Sequence, residues 1–296
     1  MIEARLVVTA DLAQQLEDLF CEEYQDHWLL HEDVKTLEHQ LRGFFDSEQD
    51  FDSYLTELKT QLPELPTDWE IKTLEDADWK EAYKIHFKPW SERGLHWVPV
   101  WERDQYDLPE GEEIVYLDPG MAFGTGNHET TRLCARRLLD AKEEWGSDVT
   151  SKSVIDVGCG SGILAISAQK LKFGSIYAFD HDPDSVRISV ENEKLCGIEN
   201  TITFEWKDLN KGLDGRTGDL LLVNILANIL CDHSELLVSS VNAGGRIALS
   251  GILEKEVDEV HQIFAHVIEQ RWGFVPEKDA KVEGEWADLL YKRPVT

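Results

Sequence analysis

Beyond residue 150 the chain alternates between short apolar runs and segments whose apolar residues recur at helical spacing. Residues 154–157, 176–179, 201–205, 218–223 and 246–250 read as strands, bounded by Gly, Asp and Asn. Helices are predicted from Ile163 to Lys170, from Pro183 to about Cys196, and from about Glu254 to Glu269. Asp182 suits the cap of the second and Gly197 its end. Gly244-Gly245 is expected to turn the chain into the fifth strand, and residues 273–275 and 287–291 are expected as terminal strands. Such alternation predicts a mainly parallel, helix-covered sheet, an α/β doubly wound domain over residues 116–296.

The first 75 residues follow another pattern. Residues 5–8 suit a strand, and Thr9 or Asp11 suits the cap of a helix with Leu12, Leu16, Leu19 and Phe20 on one face. Two extended segments follow near residues 27–32 and 39–45. Ser47 then caps a helix carrying Phe51, Tyr54, Leu55 and Leu58, which Pro63 and Pro66 stop. Residues 69–74 complete a βαββαβ order, the order of a small ferredoxin-like α+β domain. A connecting helix starts at Asp76 or Asp78, with Trp79, Ala82, Tyr83 and Ile85 on one face. Trp90, Trp97 and Trp101 then mark strands expected to pack on the larger domain. The expected division is a domain over 1–75, a linker helix with Trp-rich connecting strands over 76–115, and the α/β domain over 116–296.

Composition narrows the choices. At 296 residues with 42% hydrophobic content, the chain can bury two cores. No apolar run reaches the roughly 18 residues of a membrane span. Met1-Ile2-Glu3-Ala4-Arg5 does not read as a signal peptide. The five cysteines are scattered without a Cys-x-x-Cys pair, which argues against a zinc site and a disulfide framework. A cytoplasmic, metal-free monomer is the expectation. Net charge is −29, and residues 1–118 carry 30 acids against 10 bases. That balance disfavours direct binding to duplex nucleic acid and favours steering of a basic partner.

The chemistry concentrates in Val154-Ile155-Asp156-Val157-Gly158-Cys159-Gly160-Ser161-Gly162. A strand ends in an acid and a three-glycine turn, and a helix follows. The glycines permit a tight turn and close approach of a ligand to the backbone. About 20 residues on, a second strand ends at Asp180, where an acid can accept both hydroxyls of a ribose. The spacing is Gly-x-Gly-x-Gly, shorter than the form that seats pyrophosphate. With Asp156 before it, this turn resembles the S-adenosylmethionine (SAM) site of Rossmann-like methyltransferases. Asp156 could help position the amino-acid part of that ligand, and the N–H groups of the turn could contact its carboxylate. Asp208 stands after the next strand, where an acid can meet an adenine amine or simply serve a turn. Asn224 ends the strand after that, at a carboxyl end, where open α/β sheets place their chemistry.

Three motifs together resemble the PrmA family of ribosomal-protein methyltransferases. They are Leu117-Asp118-Pro119-Gly120-Met121-Ala122-Phe123-Gly124-Thr125-Gly126 with His128, Thr130 and Thr131; the glycine turn running on into Ile163-Leu164-Ala165; and Asn224-Ile225-Leu226-Ala227. Asp78-Trp79 with Phe87-Lys88-Pro89 resembles the family's linker. One departure is Asn127-His128-Glu129, where the family usually has Thr-His-Pro. The resemblance implies a SAM-dependent protein N-methyltransferase. Its N-terminal domain would recognise a basic large-subunit ribosomal protein. Lysine side chains and an N-terminal α-amine would be methylated. Thr131, Gly158, Asp180 and Asn224 carry over as SAM contacts, with Gly160 and Gly162 completing the turn.

Asn224 is the candidate for aiming the amine. His128 is a candidate general base, or alternatively a residue that structures its loop. A protein-lysine methyltransferase acting on a non-ribosomal protein fits the same residues. A nucleic-acid N-methyltransferase fits less well, because Ile225-Leu226-Ala227 offers no ring to stack a flipped base. A SAM-binding scaffold without turnover is the remaining alternative.

Overall fold

Alternation in the first strand sets the layering of the N-terminal unit. In the computed structural model, which describes residues 2–22, 28–32, 39–45, 47–73, 87–118, 128–198 and 200–295, contacts divide the chain into Met1–Tyr83 and Lys84–Thr296. Ile2, Ala4, Leu6 and Val8 of β1 (Ile2–Val8) all point into the first core. Helices α1 (Ala10–Glu22) and α2 (Glu48–Gln61) contribute Leu12, Leu16, Phe51 and Leu58 to the same core. Thr9 Oγ1 accepts the Leu12 N–H at 3.3 Å, and Ser47 Oγ accepts the Asp50 N–H at 3.2 Å, so both helices start on expected caps. With β2 (Trp28–Glu32), β3 (His39–Phe45) and β4 (Glu70–Thr73), the antiparallel order is β2-β3-β1-β4. This is the ferredoxin-like arrangement. The Asp11 side chain, the expected helix after Asp76 or Asp78, and the loop over residues 119–127 lie outside the described residues.

The second unit opens with a small sheet of β5 (Trp90–Glu92), β6 (Leu95–Pro99) and β7 (Glu113–Leu117). Trp90 stacks on Trp97 at 3.8 Å between ring centroids. The buried Trp97 indole donates to Ser167 Oγ at 2.8 Å, tying this sheet to the helix behind the glycine turn.

The main sheet has seven strands: β8 (Ser153–Val157), β9 (Ser175–Asp180), β10 (Ile202–Trp206), β11 (Gly218–Asn224), β12 (Val241–Leu253), β13 (Asp279–Glu283) and β14 (Trp286–Lys292). Their order is β10-β9-β8-β11-β12-β14-β13, parallel through β12 and antiparallel for the last two. Strand β11 shows why the run is continuously apolar. Leu220 and Leu222 enter one core, and Leu221 and Val223 enter the other. The first core is closed by α3 (Glu129–Trp145) and α4 (Ile163–Lys170); α9 (Val257–Trp272) packs on the second. Helix α5 (Pro183–Leu195) runs between β9 and β10, followed by the short α6 (Leu209–Leu213), α7 (Ala227–Asp232) and α8 (Ser234–Ser239).

Three local expectations fail. Trp101 lies in a 3-10 turn over Val100–Glu102 rather than in a strand. Residues 273–275 form no strand: Gly273 adopts φ +80° and caps α9, and Phe274 stacks back on Trp272. The real strand is the edge β13, whose short alternation rests on only two apolar residues, Ala280 and Val282. Gly244-Gly245 does not start a strand but interrupts β12. Register jumps from Gly218↔Val241 to Leu220↔Arg246, and Gly244 takes φ +75°.

A buried ion pair fastens α3 to the antiparallel edge. Arg137 grips Asp288 with two hydrogen bonds of 2.7 Å and Asp279 with one of 2.9 Å. Asp288 is fully buried, and Arg137 is 3% exposed. The carboxylates hold the guanidinium pKa above its ordinary value against the opposing effect of burial. Removing Asp288 strips the buried Arg137 of two of its hydrogen bonds and leaves it only the half-exposed Asp279. Asp288→Ala should therefore cost about 3–5 kcal/mol in urea unfolding, and the double change Arg137→Met with Asp288→Leu should cost clearly less.

Candidate active site

The glycine turn is closed by the neighbouring strand. After β8, the N–H groups of Gly158 and Cys159 both donate to Phe179 O, at 3.0 and 3.1 Å. Gly160 N donates to Asp180 Oδ2 at 2.8 Å. All three glycines lie in the left-handed region, at φ +70°, +53° and +79° for Gly158, Gly160 and Gly162. A side chain at Gly158 would strike Ile225, and one at Gly162 would strike Ser189. Helix α5 braces the turn from outside. Ser189 Oγ donates to Gly160 O at 2.8 Å, and Asn192 Nδ2 donates to Ser161 O at 2.9 Å. Asn192 Oδ1 also accepts the Asp118 N–H at 2.8 Å, which links the turn to the end of the signature segment that is described.

Asp180 is 7% exposed, and both its oxygens are engaged. Besides Gly160, it accepts the Asp182 N–H at 3.0 Å, and His181 Nδ1 lies 3.2 Å away. A carboxylate offers about four acceptor positions, so this geometry aims the group without exhausting it. Asp156 sits beneath the turn, 1% exposed, and accepts the Ala165 N–H at 3.0 Å. It buttresses the start of α4 from inside. Burial, opposed by the Ala165 hydrogen bond and reinforced by Asp180, pushes its pKa up to about 7. Asp208 is the N-cap of α6, accepting from Lys211 N at 2.9 Å. With His181, Trp206, Lys207 and Lys211 it lines an open cleft at the ends of β9 and β10.

Asn224 lies on the other side of β8. The register pairs Val223 with Val157, so Asn224 stands beside Gly158. Strand order reverses here, because β9 and β11 flank β8 on opposite sides. This is the switch point at which doubly wound sheets bind ligands. Gly251, at φ +83°, fixes the segment after Asn224: a Cβ there would lie 2.3 Å from the Ile225 carbonyl oxygen. Among the described residues, Asn224 Oδ1 and Thr131 Oγ1 are buried atoms with no hydrogen-bond partner. His128 caps α3, with Nδ1 and Thr130 Oγ1 2.8 Å apart, and packs edge-on against Trp286. Trp286 pairs with Leu253 at the carboxyl end of β12, which places His128 and the first turn of α3 at the same end of the sheet.

Sequence reasoning did not single out Ser189, Asn192, Gly251 or Trp286. Gly251 had a readable signal, a glycine inside an apolar strand. The other three act through contacts across the fold that no local pattern encodes.

These features define a Rossmann-like, SAM-dependent methyltransferase. The glycine cradle and the unpartnered Thr131 oxygen fit such a ligand. A family model described as ribosomal protein L11 methyltransferase (PrmA) matches residues 2–294. A ribosomal protein L11 methyltransferase of Aliivibrio fischeri (strain MJ11) is 32% identical over 99% of each chain. Another, from Pelobacter propionicus, is 35% identical over 86% of this chain and 81% of its own. The crystal structure of a ribosomal protein L11 methylase from Lactobacillus delbrueckii subsp. bulgaricus superposes with a TM-score of 0.58 at 35% identity, covering 69% of this chain and 96% of that one. The chain belongs to the ribosomal protein L11 methyltransferase family.

Asp156 yields a stability test. Its folded pKa, about 7, exceeds the ordinary 3.8 it has when unfolded. Between those values the folded protein holds a proton that the unfolded chain releases. Its contribution to stability is therefore full below pH 4 and is lost as pH rises to 7. Urea titrations of the ligand-free protein should show wild type losing about 1.4 kcal/mol per pH unit across that window relative to Asp156→Asn, with no further change above it.

Proposed function

We propose that the protein transfers methyl groups from SAM to amines of ribosomal protein L11, on lysine side chains and the N-terminal α-amine. One observation carries the choice of an amine. Asn224 presents a buried, unpartnered oxygen beside the glycine turn. An acceptor there can take an N–H of the incoming amine and aim its lone pair. An ammonium would have to shed its proton first, and removal from water favours that loss. SAM supplies the methyl as a substituent of a sulfonium. The turn of Gly158, Gly160 and Gly162 would hold its amino-acid part, with Asp180 on the ribose, Thr131 on the open side and Asp208 near the base. Asp156 supports the turn from within. The cap that His128 makes on α3 supports a structuring role for it.

The N-terminal unit, with its acidic balance, is assigned recognition of the basic substrate, steered by charge. Arg93, Arg136, Arg137 and Arg246 are all engaged with carboxylates, which supports a reading without a phosphate-binding face. No helix among the described residues is long and apolar enough to cross a membrane. A monomer acting in the cytoplasm suits a ribosomal-protein substrate.

The test is incubation with labelled SAM, purified L11 and ribosomal RNA. Label is expected in the protein; label confined to RNA overturns the reading. Asn224→Ala should lower kcat about a hundredfold while SAM affinity changes little. Asp180→Ala should weaken SAM binding about 10- to 100-fold by calorimetry. Equal effects of both changes on both constants would contradict this division of roles.

A further inference from the structure

Two large apolar side chains that follow Asn224 stand exposed. After Asn224 the chain turns Ile225 inward, against Gly158 and the second core. Ala227 and Leu230 supply the buried side of α7. Leu226, the N-cap of α7, and Ile229, in its first turn, are left outward at 54% and 37% exposure. Asn228 between them engages its own Oδ1 with the Ile229 N–H at 2.9 Å. The other exposed large apolar residues described in this unit, Trp206, Val275, Val282 and Val295, are scattered along the chain. Among these exposed residues, Leu226 and Ile229 alone follow Asn224 closely in the chain, two and five positions on. Gly251 lies against the backbone of Ile225, between Asn224 and Leu226.

We propose that Leu226 and Ile229 form an apolar collar for the polymethylene stem of the target lysine, and so set specificity for long-stemmed amines. The assignment rests on the amine-methylation reading above. A lysine carries four methylenes below a strongly hydrated ammonium. To bring the amine to Asn224, the stem must cross the rim of the site. An apolar rim accepts those methylenes as readily as other hydrocarbon surface, while the polar acceptor beyond takes the head. Water that would otherwise follow the ammonium inward is displaced by the stem itself. An N-terminal α-amine has no such stem and gains nothing from the collar. The pair therefore separates the two classes of amine.

The experiment uses the full-length protein, purified L11 and labelled SAM, with mass spectrometry dividing product between lysines and the α-amine. In the double variant Leu226→Ser with Ile229→Ser, the ratio of lysine to α-amine transfer should fall at least tenfold, with SAM affinity by calorimetry within twofold of wild type. Leu226→Met with Ile229→Met, which keeps the rim apolar, should hold the ratio within threefold. A ratio that stays within twofold in the serine variant overturns the collar, as does an equal fall for both amines. A wild-type dimer that the serine variant dissociates would assign the pair to a second copy and also overturn it. Wild-type transfer to neither amine would bring down the function reading, and the collar with it.

Discussion

The bond from Gly160 N–H to Asp180 holds the site together. A parallel sheet leaves backbone donors open where its strands end, and a tight turn at that point exposes several more. Here the neighbouring strand absorbs them: Phe179 O takes two and Asp180 a third. The acid suited to gripping a ribose is thus also the acid that shapes the turn. Its position relative to the glycines is fixed before any ligand arrives. Ser189 and Asn192 secure the outer side of the turn, and Asp156 secures its inner side. The result is a preorganised cradle in which little backbone freedom is left to lose on binding.

How much of this was legible depended on whether the determinant was local. The glycine spacing and the acid 20 residues on were readable because both are fixed by one βαβ unit. The capping of α2 by Ser47, and of α5 by Asp182, followed from neighbouring residues alone. Strand β13 carried only a faint signal. It lies at a sheet edge, and its alternation rests on two small apolar residues, Ala280 and Val282. Residues 273–275 misled for the opposite reason. Their apolar character serves a stack on Trp272, and Gly273 can adopt the left-handed geometry that ends a helix. Asn192 was invisible because its two side-chain hydrogen bonds join α5 to Ser161 and Asp118, and only the folded chain brings these together.

The unsatisfied oxygens carry the last step. Leaving a buried acceptor without a donor costs on the order of 1–3 kcal/mol, so folded proteins rarely keep one without use. Among the described residues, the side-chain atoms in this state include indole and guanidinium nitrogens as well as the oxygens of Thr131 and Asn224. Trp272 is stacked on Phe274, and Trp69 packs at a tilt on Trp28 and edge-on against Phe51, so packing rather than hydrogen bonding sets the place of both nitrogens. Both oxygens, by contrast, sit at the carboxyl end of the sheet, one in the first turn of α3 and one at the end of β11. An amide oxygen can accept a hydrogen bond but carries no charge that would hold an amine as ammonium. A carboxylate in the same position would stabilise the protonated, unreactive form. On the proposed transfer to an amine, the neutral side chain of Asn224 is therefore the chemistry to expect where the amine must be oriented and react as a nucleophile.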